Sequence, residues 1–182
     1  MKMLRTTVPV LALAALASAG CFLISGQFVV NYALPTPFSA VGGGTLQSVD
    51  VDLNTIGDYS DHKQDLKRVD DLALIGDFKN NLTTGSPAQV ECWIVPAGTA
   101  GLTYAQLTTP GTAVKLWGPI SVAANATEKV DWNRSAALFA GRQTLIDEIK
   151  GDGQFRLYVA TAGAFNVTIT NGALIAVIGA AK

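Results

Sequence analysis

The residues best suited to chemistry are aspartates that crowd one part of the chain. Eight of the 14 acidic residues lie in a window of 28 positions that starts at Asp50. Calcium takes about six to eight oxygen ligands, which the carboxylates and carbonyls of an acidic loop can supply. The candidate calcium ligands are Asp58, Asp61 and Asp65, joined by Asp52 or Asp50 from a preceding strand. Their spacing is not that of an EF-hand, so the alternative is a solvated loop whose aspartates cap turns and pair with nearby basic residues.

His62 is the single histidine of the sequence and lies among the same acids. A histidine paired with Asp61 or Asp65 is the kind of group that activates a serine nucleophile. The sequence, however, has no G-x-S-x-G elbow and no second histidine for a zinc site. Acid–base chemistry by two carboxylates needs only residue types that are present. A carboxylate-based hydrolase is therefore kept as an alternative, with no catalytic residue assigned.

The second candidate set is aromatic and consists of Trp93, Trp117 and Trp132. Together with Tyr59 and Tyr104, these side chains could form a platform on which sugar rings stack. The alternative is that all three tryptophans are buried in the core or under loops, as large aromatic residues commonly are. The ligand-binding prediction is therefore a carbohydrate site built from the three tryptophans.

The first 21 residues have the layout of a bacterial export signal and not of a folded element. Lys2 and Arg5 form a short positive region, residues 8–16 are apolar, and residues 17–21 are small residues that end in Cys21. This leader resembles those of bacterial lipoproteins, in which a Leu-Ala/Ser-Gly/Ala-Cys lipobox precedes the cleavage site. Positions 19–21 match the last three places of the lipobox, and a serine stands where the family has leucine.

The resemblance implies that residues 1–20 are removed and that Cys21 becomes the first mature residue. Its sulfur and amino group would then carry acyl chains, each contributing about 0.8 kcal/mol per buried CH₂ to membrane anchoring. Two other outcomes are open. Cleavage after the A-x-A sequence of residues 17–19 would release a secreted protein that starts at Gly20. A retained leader would act as a membrane anchor, because residues 8–30 are largely apolar and about 20 such residues cross a bilayer.

Composition bounds the remaining chain to one domain of about 160 residues, which is long enough for a proper core. Without Lys2 and Arg5 it has 11 basic and 14 acidic residues, a net charge of about −3 with His62 neutral. No basic cluster occurs, so nucleic acid is excluded as a partner class. The expected partners are a membrane, through the lipid on Cys21, and an envelope protein or glycan. The expected divisions are a signal peptide (1–20), a lipid-anchored tether that can include a first strand (21–44) and the main domain (45–182).

Cys92 is the only cysteine besides Cys21. If Cys21 is acylated, Cys92 has no partner within the chain, and a disulfide between the two is open only if Cys21 stays unmodified. Cys92 lies in the apolar run of residues 90–95, where a thiol behaves as a small core hydrophobe. We expect it to be buried and not to act as a nucleophile.

Nine segments combine β-branched or aromatic residues with alternation, or form short apolar runs bounded by turn residues. They are residues 26–34, 46–53, 69–78, 88–96, 113–122, 128–132, 154–161, 164–170 and 173–179. Alternation places Cys92 and Ile94 on one strand face and Trp93 on the other. Two hairpins are predicted, one joining 69–78 to 88–96 and one joining 164–170 to 173–179 across Asn171-Gly172, a strong hairpin signal.

One helix is predicted over residues 135–150, with Gly151 after its end and Gly141 inside it, where the helix can split. Residues 57–68 are predicted to be a long loop or a short irregular helix, and residues 96–110 a loop. The fold class is therefore mainly β: an antiparallel β-sandwich of about seven to nine strands with one short helix in the C-terminal third.

With its lipobox-like leader followed by regularly spaced strands, the chain resembles the small β-sandwich lipoproteins of bacterial envelopes, many of which have no assigned activity. The resemblance implies an exported, lipid-anchored binding or structural module without catalysis, facing the periplasm or on the outer membrane. A calcium-dependent or carbohydrate-binding module is the first alternative, and a carboxylate-based envelope hydrolase is the second. No cofactor is expected apart from calcium in the first alternative.

Overall fold

The computed structural model describes residues 25–42 and 46–181. The leader, Cys21 and the predicted lipidation lie outside these residues. The strands are β1 (Ser25–Ala33), β2 (Phe38–Val41), β3 (Ser48–Asp52), β4 (Leu66–Asn80), β5 (Ala88–Pro96), β6 (Val114–Val122), β7 (Thr127–Val130), β8 (Gln154–Ala160) and β9 (Asn166–Ala181). The α-helices are α1 (Gly57–His62), α2 (Tyr104–Leu107), α3 (Trp132–Ala136) and α4 (Arg142–Lys150), and two 3₁₀ turns span Leu53–Thr55 and Lys63–Asp65.

The strands form two antiparallel sheets that pack together, which confirms the predicted β-sandwich. The first sheet has the order β1-β9-β4-β7, with β2 also paired to β9. The second sheet has the order β3-β8-β5-β6. Residues 173–179 of β9 are apolar on both faces and lie between β1 and β4, which confirms the central position predicted for this segment.

The core lies between the two sheets and follows the predicted alternation. Val49 and Val51 of β3 are buried, as are Cys92 and Ile94 of β5. Phe78 of β4 stacks on Trp117 of β6, with ring centroids 5.6 Å apart, and so joins the first sheet to the second. Burial raises the pKa of the Cys92 thiol to about 12, which fits the expected core role.

The predicted hairpin at Asn171-Gly172 is wrong, because β9 runs through both residues without a turn. Asn171 has φ 53°, and the pairing with β4 skips from Ile75↔Ala173 to Asp77↔Thr170. Gly76, opposite the skip, has φ 154°. The Asn-Gly pair therefore forms a β-bulge, which needs the same left-handed conformation as a type I′ turn.

The bulge coincides with a change of partner along the edge of β9. β1 ends at Ala33, the Leu34 N–H donates to the Gly172 carbonyl at 2.9 Å, and β2 then pairs with residues 166–169. A Cβ at Gly172 would lie 2.9 Å from Leu34 Cδ1, so the leucine side chain packs closely over this corner. The Asn171-Gly172 pair thus forms a bulge within the long strand β9 and not a hairpin turn.

The predicted hairpin between residues 69–78 and 88–96 is also wrong. β4 pairs with β7 and β9 in the first sheet, whereas β5 pairs with β6 and β8 in the second. The link between them is long enough to cross the roughly 10 Å between packed sheets. Asn80 marks the crossing, because its buried side-chain amide donates to the Val122 carbonyl of the other sheet at 3.1 Å.

Gly118-Pro119, a pair that predicts a bulge or a break inside a strand, forms a bulge in β6. The β5 register passes from Val90↔Ile120 to Cys92↔Trp117, so β6 contributes the extra residue. Gly118 has φ 95°, and a Cβ there would approach the Val90 carbonyl oxygen to 2.6 Å. Only glycine fits this position without strain.

The predicted helix over residues 135–150 is divided at Gly141, where the sequence predicts a split, into α3 and α4. α1 lies in residues 57–68, for which the prediction is a loop or a short irregular helix. α2 lies where only a loop is predicted, so the expectation of one helix is wrong. The chain breaks between α3 and α4 because Phe139 bridges to Trp117 and the Gly141 N–H donates to the Leu116 carbonyl of β6 at 3.1 Å. Leu145 and Ile149, which are four residues apart on one face of α4, are buried. In the described part of the chain, no helix has the length and apolarity needed to span a bilayer.

Candidate functional site

The four candidate calcium ligands lie on three short elements. Asp52 caps the 3₁₀ turn Leu53–Thr55: it accepts from the Asn54 backbone N–H at 3.0 Å and from the Gln154 side chain at 3.1 Å. Hydrogen bonds from Asn54 hold the pKa of the Asp52 carboxyl below its usual value. Asp58 and Asp61 are in α1, and Asp65 is in the second 3₁₀ turn. Across residues 25–42 and 46–181, no three His, Cys, Asp or Glu side chains gather in a way that could hold a metal ion. Calcium binding stays the first alternative.

His62 lies against an aromatic ring. Its ring centroid is 5.2 Å from that of Phe28 in β1, which docks the end of α1 on the first sheet. The other anchor of α1 is Tyr59, whose buried hydroxyl donates to the Ile149 carbonyl of α4 at 2.7 Å. Burial raises the pKa of Tyr59 to about 12. The acidic segment is therefore a packed helical connection, and Tyr59 is removed from any sugar platform.

The three tryptophans occupy three separate environments and form no common platform. Trp117 is fully buried, and its indole nitrogen donates to Ser135 Oγ at 3.1 Å. Trp93 lies on the outer face of the second sheet, as alternation predicts, and donates to Glu91 Oε2 at 3.2 Å. Trp132 begins α3 and is half-buried. Its side chain lines a cleft of the first sheet.

The outer face around Trp93 is occupied by groups of this chain. Lys115 Nζ lies 3.3 Å from Glu91 Oε1, next to the tryptophan. Arg156 and Tyr158 of β8 both donate to the Thr99 carbonyl, at 3.0 and 3.1 Å. The loop after β5 thus covers part of this face, and its charged groups are already paired.

The cleft beside Trp132, called the Trp132 cleft below, has a volume of about 420 Å³. Its floor is the bulge of the first sheet, where Gly76 faces Asn171, and its wall is the turn from β7 into α3. The Asn171 side-chain amide donates to Asp77 Oδ2 at 2.8 Å. The residues lining the cleft are Ile75, Gly76, Asp77, Lys129, Val130, Asp131, Trp132 and Asn171.

Hydrogen bonds outside the cleft hold Trp132 in place. Its indole N–H donates to Asp71 Oδ2 at 2.9 Å, and the other Asp71 oxygen accepts from the Leu72 backbone N–H at 2.8 Å. Arg142 of α4 adds its guanidinium 3.7 Å from the same carboxylate. At the start of α3, Asp131 accepts from the Arg134 backbone N–H at 2.9 Å and so caps the helix. The aromatic ring is therefore preorganised.

A second cleft of about 270 Å³ lies between the end of β5 and α4 and contains Glu148. Burial and the nearby Asp152 and Asp147 raise the pKa of the Glu148 carboxyl, a feature of general acids. Glycoside hydrolysis requires two carboxyl groups that face each other across roughly 5–9.5 Å. Among the described residues that line this cleft, Glu148 is the single acid. The carboxylate-based hydrolase stays the second alternative, with no catalytic residue assigned.

The Trp132 cleft combines an aromatic side chain, a carboxylate and an amide on three different elements. Sequence reasoning selected Trp132 but missed Asp77, Asn171 and the supporting Asp71. The signal that was present, Asn171-Gly172, marks the bulge that places Asn171 next to Asp77. Comparison with protein families, with curated proteins and with solved structures finds no match for this chain.

Proposed function

We propose that the protein is an exported lipoprotein, anchored through Cys21, that acts in the bacterial cell envelope as a binding module without catalysis. The leader of residues 1–21 supports the export and anchoring parts of this proposal. The observation that carries the binding part is the Trp132 cleft, in which Trp132, Asp77 and Asn171 are held in fixed positions.

The position of β1 supports anchoring close to the membrane. β1 starts at Ser25, four residues after Cys21, and pairs with β9 along nine residues. Four residues span at most about 14 Å even when fully extended, because each adds about 3.3–3.6 Å. A lipid on Cys21 would therefore hold the first sheet near the membrane surface, with no long tether between them.

Binding would depend on surface complementarity. Small-molecule sites occupy about 300–1,000 Å³ and combine an apolar wall with a few fixed polar groups. The Trp132 cleft falls in this range, and its side chains lose little rotamer freedom on binding because they are already bonded to neighbours.

The test is the intact mass of the mature protein from cells, with identification of its N-terminal peptide. We expect a chain that starts at Cys21 and carries acyl chains, and we expect Cys21→Ser to retain the leader and lose the acyl mass. A chain that starts at Gly20 would show that the protein is secreted and not anchored. An unmodified chain that starts at Met1 would show a retained membrane anchor. Either of these two results contradicts the proposal.

A further inference from the structure

We propose that the Trp132 cleft binds one pyranose ring of a glycan, with the ring stacked on Trp132 and its hydroxyl groups bonded to Asp77 and Asn171. This rests on the proposed function as a binding module and adds the class of ligand. Three features of the cleft support it. They are the apolar face of Trp132, the hydrogen-bonding groups of Asp77 and Asn171 that remain for a ligand, and the backbone conformation beneath this pair.

Trp132 contributes an apolar aromatic face to the cleft. Its single polar group, the indole N–H, is already used by Asp71, at 2.9 Å. An indole without a free donor suits a ligand that has an apolar face, and the C–H bonds on one side of a pyranose ring form such a face. Because Asp71 is itself held by Leu72 N–H, the indole need not be ordered when the sugar binds.

Asp77 and Asn171 supply the polar half of the site. An ionised carboxylate has about four acceptor positions, and Asn171 occupies one of those on Asp77, at 2.8 Å. Asn171 keeps its carbonyl oxygen and a second N–H for a ligand. Lys129, the exposed register partner of Asp77 in β7, adds a donor at the rim. Adjacent hydroxyl groups of a sugar, each both donor and acceptor, match such a set.

The backbone beneath the pair is in an unusual conformation at both positions. Asn171 has φ 53° and Gly76 has φ 154°, in a bulge where the two strands lose register. Bulges redirect side chains and are common beside binding sites. Here the bulge brings the Asn171 amide to Asp77.

The test is a titration of the purified mature protein with three probes: cellotetraose, mannotetraose and the tetramer of N-acetylglucosamine. Calorimetry measures affinity, and ¹⁵N–¹H chemical shifts locate the site. We expect saturable binding of at least one probe, with shifts centred on residues 75–77, 129–132 and 171. Absence of saturable binding for all three, or shifts centred elsewhere, would overturn the proposal.

Three variants separate binding from folding. Trp132→Ala should weaken binding at least tenfold, since it removes the stacking surface. Asn171→Gly keeps the φ of 53° that glycine also adopts and removes only the amide, so binding should fall severalfold at unchanged Tm. Trp93→Ala is the matched control, because it removes a partly buried tryptophan from the other sheet and should leave affinity unchanged. Equal losses in Trp93→Ala and Trp132→Ala would also overturn the proposal.

These results are independent of the intact-mass measurement. A lipidated chain that binds none of the probes overturns the sugar assignment and leaves the anchored module standing. A chain without lipid that binds a probe in the Trp132 cleft overturns the anchor and leaves the sugar site standing.

Discussion

The indole nitrogen of Trp117 donates to Ser135 Oγ at 3.1 Å, and this one hydroxyl connects both sheets to α3. Ser135 is fully buried, and its Oγ also accepts from the Leu74 backbone N–H of β4 at 2.7 Å. Trp117 belongs to β6 in the second sheet and Leu74 to the first. A short helix outside the strand pattern therefore satisfies two buried donors, one from each layer.

Ser135→Ala should destabilise the fold through these two donors. The Leu74 N–H would lose the partner that the hydroxyl provides, while the Trp117 indole would keep only the Ser135 carbonyl, at 3.3 Å. Leaving a buried donor unpaired costs about 1–3 kcal/mol, so we expect a loss of about 2 kcal/mol in urea unfolding. Ser121→Ala, which removes a hydroxyl on an exposed strand surface, should change stability by less than about 0.5 kcal/mol. Similar values for the two variants would contradict the bridging role.

Gly118→Ala should be destabilising because the β6 bulge excludes a side chain. A Cβ at this position would lie 2.6 Å from the Val90 carbonyl oxygen, and φ 95° is unfavourable for alanine. We expect a loss of about 2 kcal/mol or more, measured as a fall in Tm. Gly26→Ala is the control, because a Cβ on Gly26 of β1 meets no atom within 4 Å. If Gly118→Ala matches this control, the bulge geometry is wrong.

Patterns that depend on burial alone could be predicted from the sequence. In β5 the side chains of Cys92 and Ile94 are buried and Trp93 lies on the outer face, because a half-buried strand alternates wherever it is placed. The glycine and proline of β6 similarly predict a bulge or a break, since both disfavour a regular ladder. Each of these features is a property of a single strand. The β-sandwich could be predicted because many segments of the chain have the pattern of a strand.

Features that depend on the partner strand could not be predicted in this way. Asn171-Gly172 specifies a left-handed conformation, which a hairpin and a bulge share, so only the neighbours Leu34 and Gly76 decide between them. The break between α3 and α4 depends on a bridge from Phe139 to Trp117. The Trp132 cleft combines residues far apart in sequence, and no spacing along the chain indicates their proximity.

Millimolar calcium should leave Tm unchanged. A ligand that binds only the folded state raises stability by RT ln(1 + [L]/Kd), so a folded-state calcium site would appear as a rise in Tm over an EDTA control. Asp52 is already bonded to Asn54 and Gln154, and Asp58 and Asp61 lie on a separate helix. A calcium-dependent rise that Asp58→Asn and Asp61→Asn remove would support the calcium-binding alternative and contradict this expectation.

Glu148→Gln should stabilise the protein at neutral pH and not in acid. Burial, with Asp152 and Asp147 nearby, raises the pKa of the Glu148 carboxyl above its ordinary value of 4.5. The folded state then binds this proton more strongly than the unfolded state, so Glu148 favours folding below its unfolded pKa, and that contribution is lost as pH rises through the folded pKa. At pH 7 the ionised carboxylate therefore disfavours folding. Because water screens this half-exposed group, removing the charge should raise stability by only about 0.5 kcal/mol.

The measurement is the free energy of unfolding of Glu148→Gln and the unchanged protein at pH 7 and at about pH 3, where the ordinary glutamate is protonated. The difference at pH 7 should disappear near pH 3, because both chains then carry a neutral side chain at this position. Glu128→Gln is the matched control: Glu128 lies 2.9 Å from Arg134, so its removal should cause no gain at pH 7. A gain of equal size at both pH values would show that the amide stabilises by packing and that the carboxylate charge is not the cause.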